Sequence, residues 1–452
     1  MGRLMVGVSG VRGEFGSVLT VEIAHQFGRA FAAMLGEGKS VCLGRDTRQS
    51  GQALRDAIAA GLTAGGIDVV DLGVVSTPGV ALMIQRLGAD GGIVITASHN
   101  PLPYNGIKFM TPEGLNLPAD QAARLRAIWQ EGKFTPATRR GRVTANAQTH
   151  DQHVQAVLAT VDAGAIRAKC FRVAIDCING AGCHAGPKLL EALGCQVSVL
   201  NGQPTGQFAH EPEPLAKNLT GLCEAVRRGG AQVGFAQDPD ADRLAIVDEN
   251  GRYIGEEYSQ ALAGRFVLRH TRGDIATNLS SSRIMDDVAA EAGVRLHRSA
   301  VGEANVVAMM KAKNCVFGGE GGGGVIDPRV VGVRNSLSGM ALVLNYLAET
   351  DLPLSQLVSQ IPSYAMLKDK FACPAEAVGP IVAAVKAHFA GRAEARACDI
   401  DGLRIDLPEG WVLIRASNTE PIMRITAEAP GAADAQRLSD EVRQVVNQVL
   451  PT

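Results

Sequence analysis

The sequence of 452 residues has no uninterrupted apolar stretch long enough to span a bilayer, and its start, MGRLMVGVSG, lacks the charged-then-apolar layout of a secretory signal. It also lacks an excess of one charge, because 44 Lys and Arg stand against 46 Asp and Glu. The formal charge of -2 gives no field that would attract nucleic acid or an anionic membrane, so any anion must bind locally. Nine cysteines without a CxxC spacing predict reduced thiols. We therefore expect a cytoplasmic protein with neither nucleic acid nor membrane as partner.

Hydrolase signatures are missing around the most informative motif, GGIVITASHNPLPYNGIK, which runs from Gly91 to Lys108. Its β-branched run ends in small, turn-forming residues, which predicts that Ser98 is exposed in a cleft at the lip of a sheet. Ser98 lies in no GxSxG elbow, and no His and acid pair surrounds it to take its proton. The geometry suits a serine that is itself phosphorylated. The alternative is an ordinary strand-to-turn exit, because Asn100 and Pro101 form turns readily.

A weak threefold repeat organises most of the chain. Each repeat has three short apolar strands that lead into loops, and the third strand ends in the richest loop: GGIVITASHNP, AQVGFAQDPDADR and NCVFGGEGGGG. Helical patterns lie between the strands, which predicts βαβ units with mainly parallel, mixed sheets. After Pro362 the pattern changes to close-spaced strands and an amphipathic helix, which predicts an α+β domain with an antiparallel sheet.

Composition predicts the domain boundaries. The polar stretch at 135–151 and the hinge DENGRYIGEE at 248–257 separate the repeats. We predict three similar α/β domains and a C-terminal α+β domain, arranged around a central cleft, with the bounds 1–150, 151–250, 251–363 and 364–452.

The motif DPDADR places Asp238, Asp240 and Asp242 at alternate positions after an apolar run. Three crowded carboxylates repel one another and need a cation, and an all-oxygen ligand set favours Mg²⁺. An EF-hand is excluded because Arg243 occupies the sixth loop position, which requires glycine, and because LAIVD continues as a strand, although Glu249 falls at position 12. A solvated acidic turn is the plainer alternative.

Two further loops suggest a sugar phosphate. GGEGGGG surrounds Glu320 with glycine, and it lacks the GK[ST] ending of a P-loop; it suits sugar hydroxyls, or it is a flexible turn. RASNTEP combines the fork of Arg415 with short polar side chains, which suits a phosphate dianion, although an ordinary polar hairpin has the same composition. Arg424 either reaches the same phosphate or faces solvent, and Arg12 lies between glycines as another candidate anion contact. Together with Ser98 and the aspartates, these loops predict phosphoryl transfer on a phosphosugar.

The motifs TASHNP with NGIK, DPDADR, GGEGGGG and RASNTEP resemble, in the same order, the four active-site loops of the α-D-phosphohexomutase superfamily. The resemblance covers essentially the whole chain. It implies that phosphorylated Ser98 donates its phosphoryl group to a hexose phosphate, and that the bisphosphate turns in the cleft and returns its other phosphate to Ser98. Phosphate would thereby move between C6 and C1, with a sugar 1,6-bisphosphate as activator.

The same resemblance implies a role for each motif residue. Mg²⁺ would be held by Asp238, Asp240 and Asp242 with a phosphate oxygen on Ser98. His99 and Lys108 would assist proton transfer and stabilise charge, Arg12 and Arg243 would support the phosphoserine and the metal region, and Glu320 would bind sugar hydroxyls. The remaining residues would grip the phosphate that is not reacting: Arg415, Ser417, Asn418 and Thr419.

Two motifs bear on the substrate. GGEGGGGVI lacks the serine and histidine of the GE-x-SG-H sugar loop and is similar to the GGExxGG loop of one phosphoglucosamine mutase branch, which VSGVRG also resembles. SNTEP occurs in phosphomannomutases as well. We therefore expect conversion of glucosamine 6-phosphate to glucosamine 1-phosphate by a monomer or homodimer. The alternatives are phosphomannomutase or phosphoglucomutase activity, a Mg²⁺-dependent phosphatase and a non-catalytic phosphosugar-binding protein.

Overall fold

The computed structural model describes residues 4–7, 10–417 and 421–450. They fold into two compact units. The first holds the chain up to Arg272 together with Val316–Ser359, and the second holds Gly273–Cys315 together with the chain from Gln360 onward. Among the described residues, no helix has both the length and the apolar character needed to cross a membrane.

The N-terminal part of the first unit contains a seven-stranded mixed sheet with the strand order β1-β2-β6-β5-β3-β4-β7. Its strands are β1 (Met5–Gly7), β2 (Gly10–Glu14), β3 (Ser40–Arg45), β4 (Asp68–Val74), β5 (Gly92–Ile95), β6 (Tyr104–Met110) and β7 (Val143–Ala145). Its helices are α1 (Val21–Leu35), α2 (Gly51–Ala64), α3 (Thr77–Leu87) and α4 (Ala119–Glu131). The helices α1 and α2 pack closely because a Cβ on Gly61 would lie 2.3 Å from the carbonyl oxygen of His25, so only glycine fits there.

The polar stretch at 135–151 is more than the separator that its composition predicts. It contributes β7, which pairs in parallel with β4, and it contains the start of α5 (Thr149–Leu158). All three residues of β7 are exposed. A short exposed strand needs no apolar alternation, and so its sequence does not distinguish it from a loop.

The middle part of the first unit contains a four-stranded sheet with the order β11-β10-β8-β9. β10 is central, and it pairs in parallel with β8 and antiparallel with β11. The elements that follow α5 here are α6 (Ala163–Lys169), β8 (Arg172–Asp176), α7 (Gly182–Ala192), β9 (Gln196–Leu200), η1 (Ala216–Asn218), α8 (Thr220–Gly229), β10 (Val233–Gln237) and β11 (Leu244–Asp248). The prediction that LAIVD continues as a strand is confirmed by β11.

The third part of the chain alternates between the units. The first unit contains α9 (Tyr258–His270), and the second contains β12 (Ile275–Asn278), α10 (Ile284–Ala292), β13 (Leu296–Ser299) and α11 (Glu303–Lys313). The first unit then resumes with β14 (Phe317–Glu320), β15 (Gly324–Ile326), α12 (Ser336–Thr350) and α13 (Leu354–Ser359). β12 and β13 pair in parallel, whereas β14 and β15 form an antiparallel hairpin.

The C-terminal part of the second unit is a five-stranded antiparallel sheet with the order β16-β20-β19-β18-β17. Its elements are β16 (Ala365–Ala372), α14 (Ala375–Phe389), β17 (Arg396–Cys398), β18 (Leu403–Leu407), β19 (Gly410–Ala416), β20 (Ile422–Ala429) and α15 (Ala432–Val449). The helices α14 and α15 share a core with one face of the sheet through residues such as Ile381, Val442 and Ile425. The predicted fold class, three α/β parts with mixed sheets and a C-terminal antiparallel sheet, is confirmed.

Candidate active site

Ser98 follows β5 and is buried, with 1% of its surface exposed, so the expectation of an exposed serine is wrong. Its backbone is left-handed, with φ of 48°, and its Oγ donates a hydrogen bond of 2.8 Å to Oδ2 of Asp238. Nδ1 of His99 lies 3.4 Å from the same Oγ. Ser98 is buried because the loop turns its hydroxyl toward the loop that follows β10 and away from solvent.

The loop after β10 is organised by Asp238. Oδ1 of Asp238 accepts hydrogen bonds of 3.1 Å from the backbone N–H groups of Asp242 and Arg243, while Ala241 takes a left-handed φ of 54°. The turn brings Asp238, Asp240 and Asp242 together, so that one carboxylate oxygen of each lies within 4.8 Å of the others. All three side chains are buried, which excludes a solvated acidic turn.

Each of the other two aspartates has one oxygen paired. Oδ2 of Asp240 accepts from Nζ of Lys108 at 2.7 Å and from Oγ1 of Thr77 at 2.5 Å. Oδ2 of Asp242 accepts from Arg334 at 2.7 Å. Among the residues that the structure describes, Oδ1 of Asp240 and Oδ1 of Asp242 are buried without a hydrogen-bond partner. Two unsatisfied carboxylate oxygens beside a third carboxylate fit a hard divalent cation.

The charged groups in this cluster shift one another's pKa values. Burial, with the neighbouring Asp240 and Asp242, raises the pKa of Asp238 well above its ordinary value. Burial also opposes ionisation of Asp240, but the charge and hydrogen bond of Lys108 outweigh it and lower the pKa of that carboxyl. Burial opposes the charge of Lys108 in turn, yet Asp240 and Asp242 raise the pKa of its ammonium. Ion pairs therefore compensate Asp240 and Asp242, through Lys108 and Arg334, whereas Asp238 has no ion-pair partner among its recorded contacts.

Arginines surround the cluster. Burial, followed by the charges of Arg243 and Arg12, lowers the pKa of His99 to about 2, so that its imidazole is neutral. Arg12 lies on β2 and donates to Oδ1 of Asn100 at 3.1 Å. Nε of Arg12 and Nε of Arg243 are buried and have no hydrogen-bond partner within the described part of the chain. Unsatisfied guanidinium donors whose charges act on His99, the neighbour of Ser98, suit an anion such as a phosphate on that serine.

The glycine-rich segment is a tight turn between β14 and β15. A Cβ on Gly323 would lie 2.3 Å from the carbonyl oxygen of Leu244, and one on Gly321 would lie 2.3 Å from Oε1 of Glu257. The glycines therefore allow the turn to pack against β11 and α9, which argues against a flexible turn. Glu320 ends β14, is buried and accepts from Arg334 at 3.0 Å.

Arg334 and Thr77 lie outside the motifs, yet both contact the acidic residues of the site. Arg334 donates to both Glu320 and Asp242, and it thereby joins the glycine-rich turn to the carboxylate cluster. Thr77 begins α3, and its backbone N–H donates to the carbonyl oxygen of Asp240 at 3.0 Å. GVRNS and STPG carry no signal of the contacts with the aspartates, since Asp242 lies 92 positions from Arg334 and Asp240 lies 163 positions from Thr77.

The RASNTEP motif, the predicted phosphate site, lies in the second unit. Arg415 lies on β19 just before its last residue, and its Nε donates to both oxygens of Asp401 at 2.8 and 2.9 Å. Arg424 of β20 is directly opposite Arg415 in the sheet register and is exposed, and Lys370 of β16 is opposite Arg424. Ser417 follows the strand, while Asn418 and Thr419 lie outside the described residues. Asp401 compensates the charge of Arg415, while Arg424 and Lys370 add positive charge in the same row, where an anion could bind.

Comparison with known proteins identifies the class to which these features belong. Sequence profiles of the phosphoglucomutase/phosphomannomutase family match consecutive segments of the chain: alpha/beta/alpha domain I at residues 3–136, domain II at 151–251, domain III at 256–364 and the C-terminal domain at 369–445. A probable phosphoglucosamine mutase of Methanopyrus kandleri is 38% identical over 443 residues, which is 97% of each chain. A phosphoglucomutase/phosphomannomutase of Thermococcus kodakarensis is 38% identical over 447 residues, or 96% of each chain.

Solved structures agree with the sequence comparison. A phosphoglucomutase/phosphomannomutase family protein from Burkholderia thailandensis superposes with a TM-score of 0.87 at 28% identity and covers 99% of this chain and 97% of its own. An Aspergillus fumigatus N-acetylphosphoglucosamine mutase, solved in complex with GlcNAc-6P and magnesium, shares the fold with a TM-score of 0.60 at 14% identity, over 99% of this chain and 96% of its own. The chain belongs to the phosphoglucomutase/phosphomannomutase family and is a phosphohexomutase, an isomerase.

Proposed function

We propose that this phosphohexomutase interconverts glucosamine 6-phosphate and glucosamine 1-phosphate, with Ser98 as the phosphoryl carrier. The observation that carries this proposal is the contact between Oγ of Ser98 and Asp238 inside a buried cluster with two unsatisfied carboxylate oxygens. A serine in that position contacts one of the proposed metal ligands, and the charges of Arg12 and Arg243 act on its neighbour His99. Its surroundings suit a phosphoserine better than a free hydroxyl.

The proposed phosphoryl transfer has two steps, and in each step one bond to phosphorus forms while another breaks. In the first, a sugar hydroxyl oxygen bonds to the phosphorus on Ser98, the bond between phosphorus and Oγ breaks, and the hydroxyl proton ends on Oγ. In the second, Oγ attacks the other phosphate of the bisphosphate, and the proton returns to the sugar oxygen thus released. His99 is neutral and lies 3.4 Å from Oγ, where it would assist the proton transfer. Lys108 is charged and would stabilise the transferring group.

Mg²⁺ is the proposed cofactor, and Asp238, Asp240 and Asp242 with a phosphate oxygen on Ser98 are its proposed ligands. The all-oxygen donor set and the two unsatisfied oxygens support the assignment. When bound, the ion would withdraw charge from the phosphoryl oxygens. A sugar 1,6-bisphosphate is the proposed activator, because it would reload a Ser98 that has lost its phosphate.

The remaining roles concern the sugar phosphate. Glu320, oriented by Arg334, would accept hydrogen bonds from sugar hydroxyls. The row formed by Arg415, Arg424 and Lys370 supports a phosphate site in the C-terminal domain. Ser417, Asn418 and Thr419 would add short polar groups to that site. We also propose the cytoplasm as the compartment, since all nine cysteines are free thiols in the described structure.

The glucosamine assignment is supported by the loop GGEGGGG and by relatives named probable phosphoglucosamine mutase from Methanopyrus kandleri and Methanothermobacter thermautotrophicus, at 38% and 36% identity. A phosphomannomutase or phosphoglucomutase is the alternative, because a relative with that name is also 38% identical.

Turnover on three substrates tests the substrate assignment. Purified enzyme with Mg²⁺ and glucose 1,6-bisphosphate is given glucosamine 6-phosphate, mannose 1-phosphate or glucose 1-phosphate in separate assays. We expect the highest kcat/KM with glucosamine 6-phosphate, and no inorganic phosphate release that keeps pace with sugar turnover. A clear preference for mannose 1-phosphate would contradict the assignment, and stoichiometric phosphate release would indicate a phosphatase.

A further inference from the structure

Arg48 is a fully buried arginine outside the four motifs described above. It donates hydrogen bonds to backbone carbonyl oxygens of the loop that carries Ser98. Its NH2 donates to the carbonyl oxygens of Ser98 and Asn100 at 2.5 and 2.7 Å, and its NH1 donates to that of Tyr104 at 2.9 Å. One guanidinium thus fixes three carbonyl groups of the segment that carries Ser98. A planar fork of donors can do this, whereas a lysine ammonium cannot reach the same three acceptors.

Asp46 connects Arg48, through Thr96, to the backbone N–H of Ser98. Its Oδ2 accepts from Nε of Arg48 at 3.1 Å and from Oγ1 of Thr96 at 2.6 Å. Oγ1 of Thr96 in turn accepts from the backbone N–H of Ser98 at 2.8 Å. The network therefore holds both the N–H and the carbonyl group of Ser98, and no group in it uses the serine hydroxyl.

The conformation of Ser98 explains why such restraint is needed. Its φ of 48° lies in the left-handed region, which residues with a Cβ avoid. Hydrogen bonds to both backbone groups of Ser98 over-determine this conformation, and the conformation sets the direction of Oγ.

The loop after β9 packs against the same network. The ring of Phe208 lies 4.9 Å from the guanidinium carbon of Arg48, and Oγ1 of Thr47 donates to the carbonyl oxygen of Asn179 at 2.8 Å. A Cβ on Gly206 would lie 2.0 Å from the carbonyl oxygen of Thr47, so glycine is required at that contact. The loops after β8 and β9 are thereby joined to the segment that carries Thr47 and Arg48.

We propose that Asp46, Arg48 and Thr96 form a positioning network that holds Ser98 in its left-handed conformation with Oγ at Asp238. The proposal rests on the proposed role of Ser98 as phosphoryl carrier. None of the three residues touches the reacting atoms, so their loss should slow phosphoryl transfer and leave sugar binding intact.

Thr96→Val tests this proposal with little change in side-chain volume. The full-length enzyme with Mg²⁺ is assayed for kcat and KM and for the rate at which glucose 1,6-bisphosphate phosphorylates Ser98, followed by intact mass. We expect kcat and the loading rate to fall by the same factor, about ten- to hundredfold, because small misplacement of a reacting group has effects of that size. KM should change less than about threefold, because the substitution should leave the binding of the sugar phosphate in the ground state unaltered.

Three further variants separate positioning from general damage. Thr96→Ser keeps the hydroxyl and should restore most of the rate. Thr63→Val makes the same change at a buried threonine of α2 whose hydroxyl donates only to the carbonyl oxygen of Ala60 among its recorded contacts, and it should leave kcat and loading unchanged. Arg48→Lys should lower kcat at least as much as Thr96→Val, provided that circular dichroism shows it folded.

The outcomes are distinguishable. If wild type loads phosphate on Ser98 and Thr96→Val loads equally fast, the positioning network is wrong while the carrier role stands. Equal slowing by Thr96→Ser or by Thr63→Val would also overturn it, because the effect would then not depend on the hydroxyl at position 96. If wild type takes no phosphate on Ser98, the proposed carrier role fails and the positioning proposal fails with it.

Discussion

At the scale of single residues, a buried carboxylate is unfavourable unless a partner compensates its charge, and three stand together after β10. Lys108 compensates Asp240, and Arg334 compensates Asp242. Asp238 has only neutral or backbone donors among its recorded hydrogen bonds, which agrees with its raised pKa. Asp238 is thus the one carboxylate of the three without a recorded ion-pair partner, and a divalent cation would compensate its charge and satisfy the two remaining oxygens.

Mg²⁺ should therefore raise the thermal unfolding midpoint of the wild type. At a concentration of 100 times the dissociation constant the stabilisation is about 2.7 kcal/mol. Asp240→Asn should abolish most of the shift, because it removes a ligand and the partner of Lys108. Differential scanning fluorimetry with and without Mg²⁺ measures the effect.

Asp248→Asn is the matched control, since Asp248 is a buried aspartate of β11 whose Oδ1 accepts from backbone N–H groups of the following turn. Its Mg²⁺ shift should equal that of the wild type. A full shift in Asp240→Asn would show that the ion binds elsewhere.

The sequence predicts which residues form the cluster better than it predicts their surroundings. Alternate aspartates after an apolar run are a local pattern, and the structure brings them together. The burial of Ser98 and the contacts of Arg334 and Arg48 depend on residues far away in the chain, and so no window of sequence contains them. The glycine-rich segment likewise has two interpretations from its sequence, a sugar site or a flexible turn, because its close approach to Leu244 is visible only in three dimensions.

At the scale of elements, buried polar side chains connect the N-terminal ends of the helices α3 and α12. Asn335 caps α12, where its Oδ1 accepts from the backbone N–H groups of Leu337 and Ser338. Nε2 of His153, on α5, lies 3.1 Å from the same oxygen, and Nδ1 lies 3.4 Å from Oγ of Ser76, the cap of α3. One buried imidazole thus connects the ends of two helices, as a donor to Asn335 and an acceptor from Ser76. Burial lowers the pKa of His153 from 6.5 to about 4.

This buried histidine should make folding sensitive to acid. The folded state binds the proton less tightly than the unfolded state, so its stability is unaffected above pH 6.5 and falls as the pH drops from 6.5 toward 4. At pH 5 the loss is about 2 kcal/mol by linkage. His153→Gln should remove that component, so the difference in urea midpoint between pH 7.5 and pH 5 should be smaller than in the wild type.

His25→Gln, at a partly exposed position of α1, should retain the wild-type pH dependence. An unchanged acid sensitivity in His153→Gln would show that His153 does not hold its neutral form in the fold.

Most elements follow from periodicity in the sequence. The first strands of the repeats, β3, β8 and β12, are short runs that are buried almost throughout, and the helices α2 and α15 coincide with apolar patterns of period 3.6. The sequence does not predict β7, because that strand is short and exposed. It does not predict the antiparallel pairing of β1, β2 and β6 either, since a strand's own residues do not determine the direction of its neighbour.

At the scale of the whole molecule, the chain passes three times from one compact unit to the other, because Gly273–Cys315 belongs with the C-terminal part and Val316–Ser359 belongs with the N-terminal part. Such connectivity is invisible in composition, which changes only at polar stretches and turns. The domain bounds 1–150, 151–250, 251–363 and 364–452 therefore stay predictions. Net charge is equally uninformative about the site, since an overall charge of -2 coexists with a cluster of four cations and four carboxylates: Arg12, Lys108, Arg243, Arg334, Asp238, Asp240, Asp242 and Glu320.

The most direct test of this account is the mass of the intact protein before and after incubation with glucose 1,6-bisphosphate and Mg²⁺, with peptide mapping of the product. We predict the addition of one phosphate on Ser98, its loss when excess sugar monophosphate is added, and mutase activity in proportion to the phosphorylated fraction. Ser98→Ala should take up no phosphate and have no mutase activity. Full activity in Ser98→Ala, or a phosphate located on another residue, would contradict the central claim that Ser98 carries the phosphoryl group.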